Sequence, residues 1–301
     1  MTWLNRLVAN TLPVVPKPIV RKVSARYIAG ESLPEALATV KTINTENMSA
    51  TLDILGEFVS TEAEAREAGR EYVRALQDIH EKQLVSNVSL KLTQLGLKID
   101  LDLCHDITRE VVEKARELDN FVRIDMEDSS CTDPTLEVYR RLQTDYPDHI
   151  GCVIQAYLKR SARDVDALVE LGANVRLCKG IYIERPEIAF RDPGAINESY
   201  IQLLTRLLKG GCYTGIATHD DQLVTAAYKI IEELGLETDR YEFQMLLGVQ
   251  EGLRRSILDR EHQLRVYIPF GVHWYEYSLR RLKENPQIAG HVMKGIFNGR
   301  S

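Results

Sequence analysis

The stretch IGCVIQAYLKRSARDVDALVELGANVRLC, Ile150 to Cys178, decides the fold. Ile150 to Tyr157 is a short, mostly apolar run of strand length. From Ser161 to Leu171 the apolar residues Val165, Leu168 and Val169 recur at helical spacing. Ser161 with Asp164 reads as the cap of that helix and Gly172 as its stop. Asn174 to Cys178 is a second strand. Strand, helix and strand in this order make one unit of an α/β fold.

The same alternation continues outward in both directions. Upstream lie strands at Ala50–Leu55, Asn87–Leu92 and Phe121–Met126, followed by helices at Thr61–Lys82, Leu101–Leu118 and Pro134–Asp145. Downstream, a helix at Ala195–Lys209 precedes strands at Tyr213–Thr218, Tyr241–Leu246 and Leu264–Pro269. Their helices are capped by Asp220 or Asp221 and reach Leu234, or run from Glu251 to Arg260 and from Trp274 to Glu284. Thr61 with Glu64 forms a further cap, and Gly30, Gly210 and Gly235 stand where helices should stop. Eight successive pairs predict a closed (β/α)8 TIM-type barrel with extra N-terminal helices; an open doubly wound sheet is the alternative. Residues 1–48 are expected as helices packed outside the barrel, and 49–301 as the barrel itself, a single domain overall.

Composition agrees. A chain of 301 residues, 44% hydrophobic and 27% charged, is too apolar for disorder and fits one barrel. Lys+Arg 38 against Asp+Glu 44 leaves −6, which argues against nucleic acid as a partner. The five cysteines form no CxxC pair, so reduced thiols in a cytoplasmic protein are expected. No apolar run is long enough to span a bilayer. Arg6, Lys17, Arg21, Lys22 and Arg26 among apolar residues allow a membrane-surface helix, against which stands a helix packed on the domain flank.

In such barrels chemistry sits where strands end. Those ends carry Lys91; Arg123, Asp125 and Glu127; Gln155; Arg176 and Lys179; Thr218, His219 and Asp220; and Glu242 and Gln244. Polar groups converging on one mouth are costly unless they pair with one another or with a ligand. The mixture of cations and amides suits an anionic ligand or a cofactor. Ion pairs such as Lys91–Asp125, or Arg176 in a buried bridge, are the purely structural reading. The interior at the opposite end is expected to be filled with branched apolar side chains. No HxH, HExxH, GxGxxG or GxxxxGK[ST] spacing is present, so neither a metal nor a Rossmann turn is predicted. Tyr277, Arg280, Arg281 and Glu284 share one helical face, where two arginines can grip a carboxylate.

Ser89-Leu90-Lys91-Leu92-Thr93-Gln94-Leu95-Gly96, Arg123-Ile124-Asp125-Met126-Glu127-Asp128 and Gln155-Ala156-Tyr157-Leu158 together resemble the proline dehydrogenase family. So do Arg176-Leu177-Cys178-Lys179-Gly180-Ile181-Tyr182, Ala217-Thr218-His219-Asp220, Glu242-Phe243-Gln244-Met245-Leu246 and Tyr277-Ser278-Leu279-Arg280-Arg281-Leu282. The likeness runs in order from about Ala50 to Glu284 and looks monofunctional and bacterial, without room for an aldehyde dehydrogenase domain or a basic DNA-binding extension. It implies an FAD-dependent barrel that oxidises L-proline to Δ1-pyrroline-5-carboxylate and passes electrons to a membrane quinone. The product would go to a separate pyrroline-5-carboxylate dehydrogenase. The resemblance places the protein in the cytoplasm or peripherally at the inner face of the membrane.

Carried over by position, Arg280, Arg281 and Lys91 would clamp the substrate carboxylate. Tyr277, Tyr267 and Leu246 would wall the pyrrolidine ring, with Tyr182 nearby, Glu284 orienting the arginines and Glu57 gating the pocket by pairing with Arg280. Asp125 would hold Lys91, and Arg176 would approach flavin N5. Met126, Gln155, Lys179, Gly180, Ile181, Thr218, His219 and Gln244 would line the cofactor. Ile181 departs from the alanine common at its place in the family. Two rival functions are a lyase using Lys91 as an imine-forming amine and a non-catalytic amino-acid sensor.

Overall fold

The computed structural model describes residues 20, 21, 24–56, 58–275 and 277–279. Eight parallel strands close in chain order: β1 (Ser49–Ile54), β2 (Ser86–Leu90), β3 (Val122–Ile124), β4 (Ile150–Gln155), β5 (Val175–Cys178), β6 (Thr214–Ala217), β7 (Tyr241–Leu246) and β8 (Leu264–Phe270). Pairing of β1 with β8, Ser49 opposite Arg265 through Ile54 opposite Phe270, closes the barrel and excludes an open sheet. Helix α1 (Leu33–Thr45) precedes β1. Between strands run α2 (Glu62–Glu81), α3 (Leu101–Glu117), α4 (Thr132–Asp145), α5 (Ser161–Glu170), α6 (Pro193–Lys209), α7 (Asp221–Leu234) and α8 (Glu251–Leu258).

Alternate strand residues face opposite ways. One set, including Leu52, Leu90, Ile124, Ile154, Leu177, Ile216, Phe243 and Val266, is buried beneath the helices in the main hydrophobic core. The other set faces the barrel interior, and there the aliphatic filling expected at the closed end is absent. Arg123 instead donates to the carbonyls of Cys152 at 3.0 Å and Asn174 at 2.8 Å. Arg265 donates to Glu242 at 2.6 Å and to the Ala50 carbonyl at 2.7 Å. Long polar side chains fit because Gly151 and Gly215 leave room beside them; a Cβ on Gly215 would strike the Gln244 amide.

The helix caps follow sequence with one exception. Thr61 and Glu64 form the expected box on α2, and Asp220 caps α7 by accepting from Gln222 N at 2.9 Å. Ser161 is not a cap: Arg160 occupies that position, and the Ser161 hydroxyl donates to the Gln155 carbonyl at 2.7 Å. Helix α1 buries Ala36, Leu37, Val40 and Ile43 and packs on the outside of β1 and β8. Ahead of it, Ala29 N donates to Pro269 O at 2.9 Å, while Gly30 O accepts from Gly271 N at 3.1 Å, tying the chain to the mouth end of β8. Among the described residues no helix is long and apolar enough to cross a membrane, and no disulfide joins any of the five cysteines.

Candidate active site

A cavity of about 750 Å³ opens at the C-terminal ends of the strands. Its walls include Lys91 after β2, Asp125 and Met126 after β3, Gln155 ending β4, and Arg176 on β5. Around it continue Lys179, Gly180, Ile181 and Tyr182 after β5, Thr218 and His219 after β6, Gln244 and Leu246 on β7, and Tyr267 on β8. Residues more than 170 positions apart thus reach one space because each strand delivers its last inward side chain to the same rim.

Asp125 is the centre of the polar network. It accepts from Ser89 Oγ at 2.7 Å, Arg176 NH1 at 2.7 Å and Tyr267 OH at 2.6 Å. Burial, then Asp125 and Asp53, push the Tyr267 hydroxyl well above its usual range, so it stays a donor. Lys91 is not held by Asp125 as the family resemblance suggested; it pairs with Asp53 on β1. The strand register explains this, because Asp53 lies opposite Ser89, two residues before Lys91, so both carboxylates bracket the lysine and Asp53 is the one in contact. Burial opposes charge on Lys91, but Asp53 and Asp125 outweigh it and hold the ammonium above its ordinary value.

The remaining walls are set by loop geometry. Gly180 has φ +101, where a side chain is strained, and the Tyr157 ring fills the space of a Cβ there. Lys179 pairs with Asp220 at 2.6 Å, and Asn197 on α6 donates to the same carboxylate at 3.3 Å. Asp220 lies below its ordinary value: burial resists, while Lys179 and the backbone NH of Gln222 prevail. His219 Nε2 accepts from Leu246 N at 2.8 Å, joining the ends of β6 and β7 and placing the proton of the neutral ring on Nδ1. Glu184 accepts from Ser129 N at 2.7 Å and Oγ at 2.8 Å, latching the loop that carries the half-exposed Ile181 and Tyr182.

Gln155 is the least satisfied member. Its Nε2 makes a 3.4 Å contact to Met126 O, and its Oε1 is buried without a partner among the described residues. A bound group that donates there would remove that cost. No cluster suited to a metal occurs among the described residues.

Tyr277 is buried with Ile28 and Leu55 but is not among the residues lining this cavity. Glu57, Arg280, Arg281 and Glu284 lie outside the described residues. Sequence reasoning missed Asp53 and Asn197 as site members. For Asp53 the signal was a lone carboxylate in the apolar run Ala50 to Leu55, in phase with Thr51; Asn197, inside a helix, gave none.

The model of the family described as proline dehydrogenase matches residues 36–294. The chain is 37% identical over 271 residues to Proline dehydrogenase 1 of Bacillus subtilis, covering 90% of this chain and 89% of that one. It is 34% identical over 278 residues to Proline dehydrogenase of Deinococcus radiodurans, covering 91% and 90%. Among solved structures it is similar to proline utilization A from Bdellovibrio bacteriovorus inactivated by N-propargylglycine, with TM-score 0.84 and 26% identity over 92% of this chain and 36% of that one.

Proposed function

The chain belongs to the proline dehydrogenase family, and from that premise we propose that it oxidises L-proline to Δ1-pyrroline-5-carboxylate with FAD as cofactor. A membrane quinone is the final acceptor in this reading, reached by peripheral contact at the inner face of the membrane, and a separate pyrroline-5-carboxylate dehydrogenase takes the product. The observation that carries it is that residues from six of the family-like segments, far apart in sequence, line one cavity.

The residues present suit the cofactor. Gln155 Oε1 is a buried acceptor without a partner among the described residues, so a bound group that donates there would satisfy it. Met126, Gln155, Arg176, Lys179, Gly180, Ile181, Thr218, His219 and Gln244 would hold it. When bound, FAD supplies at N5 the hydride acceptor that no side chain provides. Lys91, kept charged by Asp53, would meet the substrate carboxylate together with Arg280 and Arg281, charge against charge in a site shielded from water. Tyr267 and Leu246 would press the apolar ring into place, with Tyr277 and Tyr182 completing the wall. Glu284 would orient the arginines, and Glu57 would gate the pocket against Arg280. Arg176, fixed by Asp125, would face the developing negative charge.

The same charge on Lys91 disfavours the lyase reading, since imine formation needs a neutral amine. The test is anaerobic mixing of the flavin-loaded protein with L-proline. The flavin absorbance should bleach, and an electron-accepting dye should restore turnover without nicotinamide. A colourless protein, or activity only with NAD, would reject the proposal.

A further inference from the structure

Glu242 lies on β7, buried inside the barrel and below the cavity, and is not one of its lining residues. Its carboxylate accepts from Arg265 Nε at 2.6 Å and from Gln244 Nε2 at 2.6 Å. Gln244 in turn accepts through Oε1 from Arg176 Nε. Arg176 passes the chain to Asp125, and Tyr267 returns it to β8, the strand that holds Arg265. The network is therefore a chain of hydrogen bonds that starts at Arg265 on β8, runs through β7, β5 and Asp125 just after β3, and ends at Tyr267 on β8.

The chemistry of these bonds is directional. A glutamine amide has a donor end and an acceptor end, and the donor-only Arg176 Nε–H can take only its carbonyl, which leaves the NH2 end to be held from the other side. An ionised carboxylate only accepts, so Glu242 forces the Gln244 NH2 group toward itself and the carbonyl toward Arg176. Burial opposes that ionisation, but Arg265 and the Gln244 amide more than offset it and keep the carboxyl below its ordinary value. Gly215 leaves the amide its place, since a Cβ there would strike Gln244 Nε2. Reversed, the amide would set NH2 against the Arg176 Nε–H, two donors face to face.

We propose that Glu242, neutralised by Arg265, is a positioning residue for the reaction: by fixing the sense of the Gln244 amide it anchors Arg176 Nε and aims the guanidinium at the site of hydride transfer. This rests on the flavoenzyme reading above. The inference concerns Arg176 alone and does not alter the clamp on the substrate carboxylate.

The test uses the full chain. Glu242→Gln alone leaves Arg265 buried without its counter-ion and risks unfolding. The informative variant is therefore E242L/R265L, which removes both charges, made also in a Gln244→Ala background. The first readout is solvent exchange of the Arg176 Nε–H by NMR on the ligand-free protein, which should quicken at least about tenfold in E242L/R265L as the anchoring bond is lost. In the flavin-loaded enzyme kcat should fall about tenfold while the proline KM stays within about twofold, because an interaction used in the transition state is weakened and ground-state binding is not. The flavin reduction potential should shift in step. In the Gln244→Ala background the same two substitutions should change none of these, since the relay is already cut. Unchanged Arg176 exchange would overturn the inference, and so would faster exchange with kcat intact or an undiminished effect without Gln244. If wild-type flavin fails to bleach with proline, the flavoenzyme reading falls, while the exchange measurement still decides whether Glu242 anchors Arg176.

Discussion

Asp53 keeps one oxygen on Lys91 while the other, Oδ2, is buried without a partner among the described residues. A buried carboxylate oxygen without a partner is costly, and what the group does in return is hold the charge on its neighbour. Lys91 stands above its ordinary value of 10.5, so in the wild type its charge persists through pH 7 to 10 and is lost only as pH rises past that raised value. Asp53→Asn takes away the nearer of the two anions and leaves burial opposed mainly by Asp125. The proline KM of that variant should rise about tenfold at pH 7 with flavin content unchanged, as a charge partner of the clamp is weakened. It should also climb at a lower pH than in the wild type. Superimposable KM–pH profiles would show that Asp53 does not govern Lys91. The sequence made Lys91, Asp125 and Arg176 legible as charged strand ends, but it left their pairing open. Partner choice depends on register between β1 and β2, and the run from Ala50 to Leu55 carries no local trace of that register.

At the scale of elements, the strand–helix alternation is readable because each strand is short and mostly apolar and helices such as α2 and α7 announce their starts with side-chain caps. β7 spans Tyr241–Leu246 as its pattern indicated, whereas β3 is shorter than expected at Val122–Ile124, although Asp125 N still donates to Leu90 O of β2 at 2.9 Å. The cap at Ser161 was misplaced because a serine hydroxyl has two competing uses there, and the Gln155 carbonyl wins it. Asp220 has two uses at once, capping α7 and pairing with Lys179. Asp220→Ala should therefore destabilise the fold by about 1–2 kcal/mol at pH 7, mainly through the lost cap. The folded carboxyl sits below its ordinary value of 3.8, so its contribution is complete above that value and disappears as pH falls through the lower folded one. Chemical denaturation of both proteins should show their difference shrinking below pH 3.8; a constant difference down to the acid transition would mean that packing, not charge, is what the substitution removes.

Across the whole molecule, the unusual property is a barrel whose outside is apolar and whose inside is polar. Its sequence hides this, because Arg123, Glu242 and Arg265 each stand in strands that otherwise read as buried, and only closure shows that their faces converge. Arg123 answers Asn174 across two strands, while Arg265 answers Glu242 on the neighbouring one. Among the described residues this interior leaves Arg123 Nε unpaired at its closed end and Gln155 Oε1 without a donor at its mouth, where a ligand can reach it. Stability and ligand binding should consequently be linked. Free FAD at a hundredfold excess over its Kd adds about 2.7 kcal/mol, or roughly 4 °C in Tm for a domain of 301 residues. Gln155→Leu replaces the half-satisfied amide by an apolar side chain of similar volume. Without FAD it should melt no lower than the wild type, because the discarded group cost more buried than its one long contact returned. With FAD it should gain less than the wild type does, having lost the acceptor that the cofactor would satisfy. Melting curves of both proteins, with and without FAD, decide the matter: a variant that is weaker alone yet gains the full shift would make Gln155 a packing residue and separate the open polar mouth from cofactor binding.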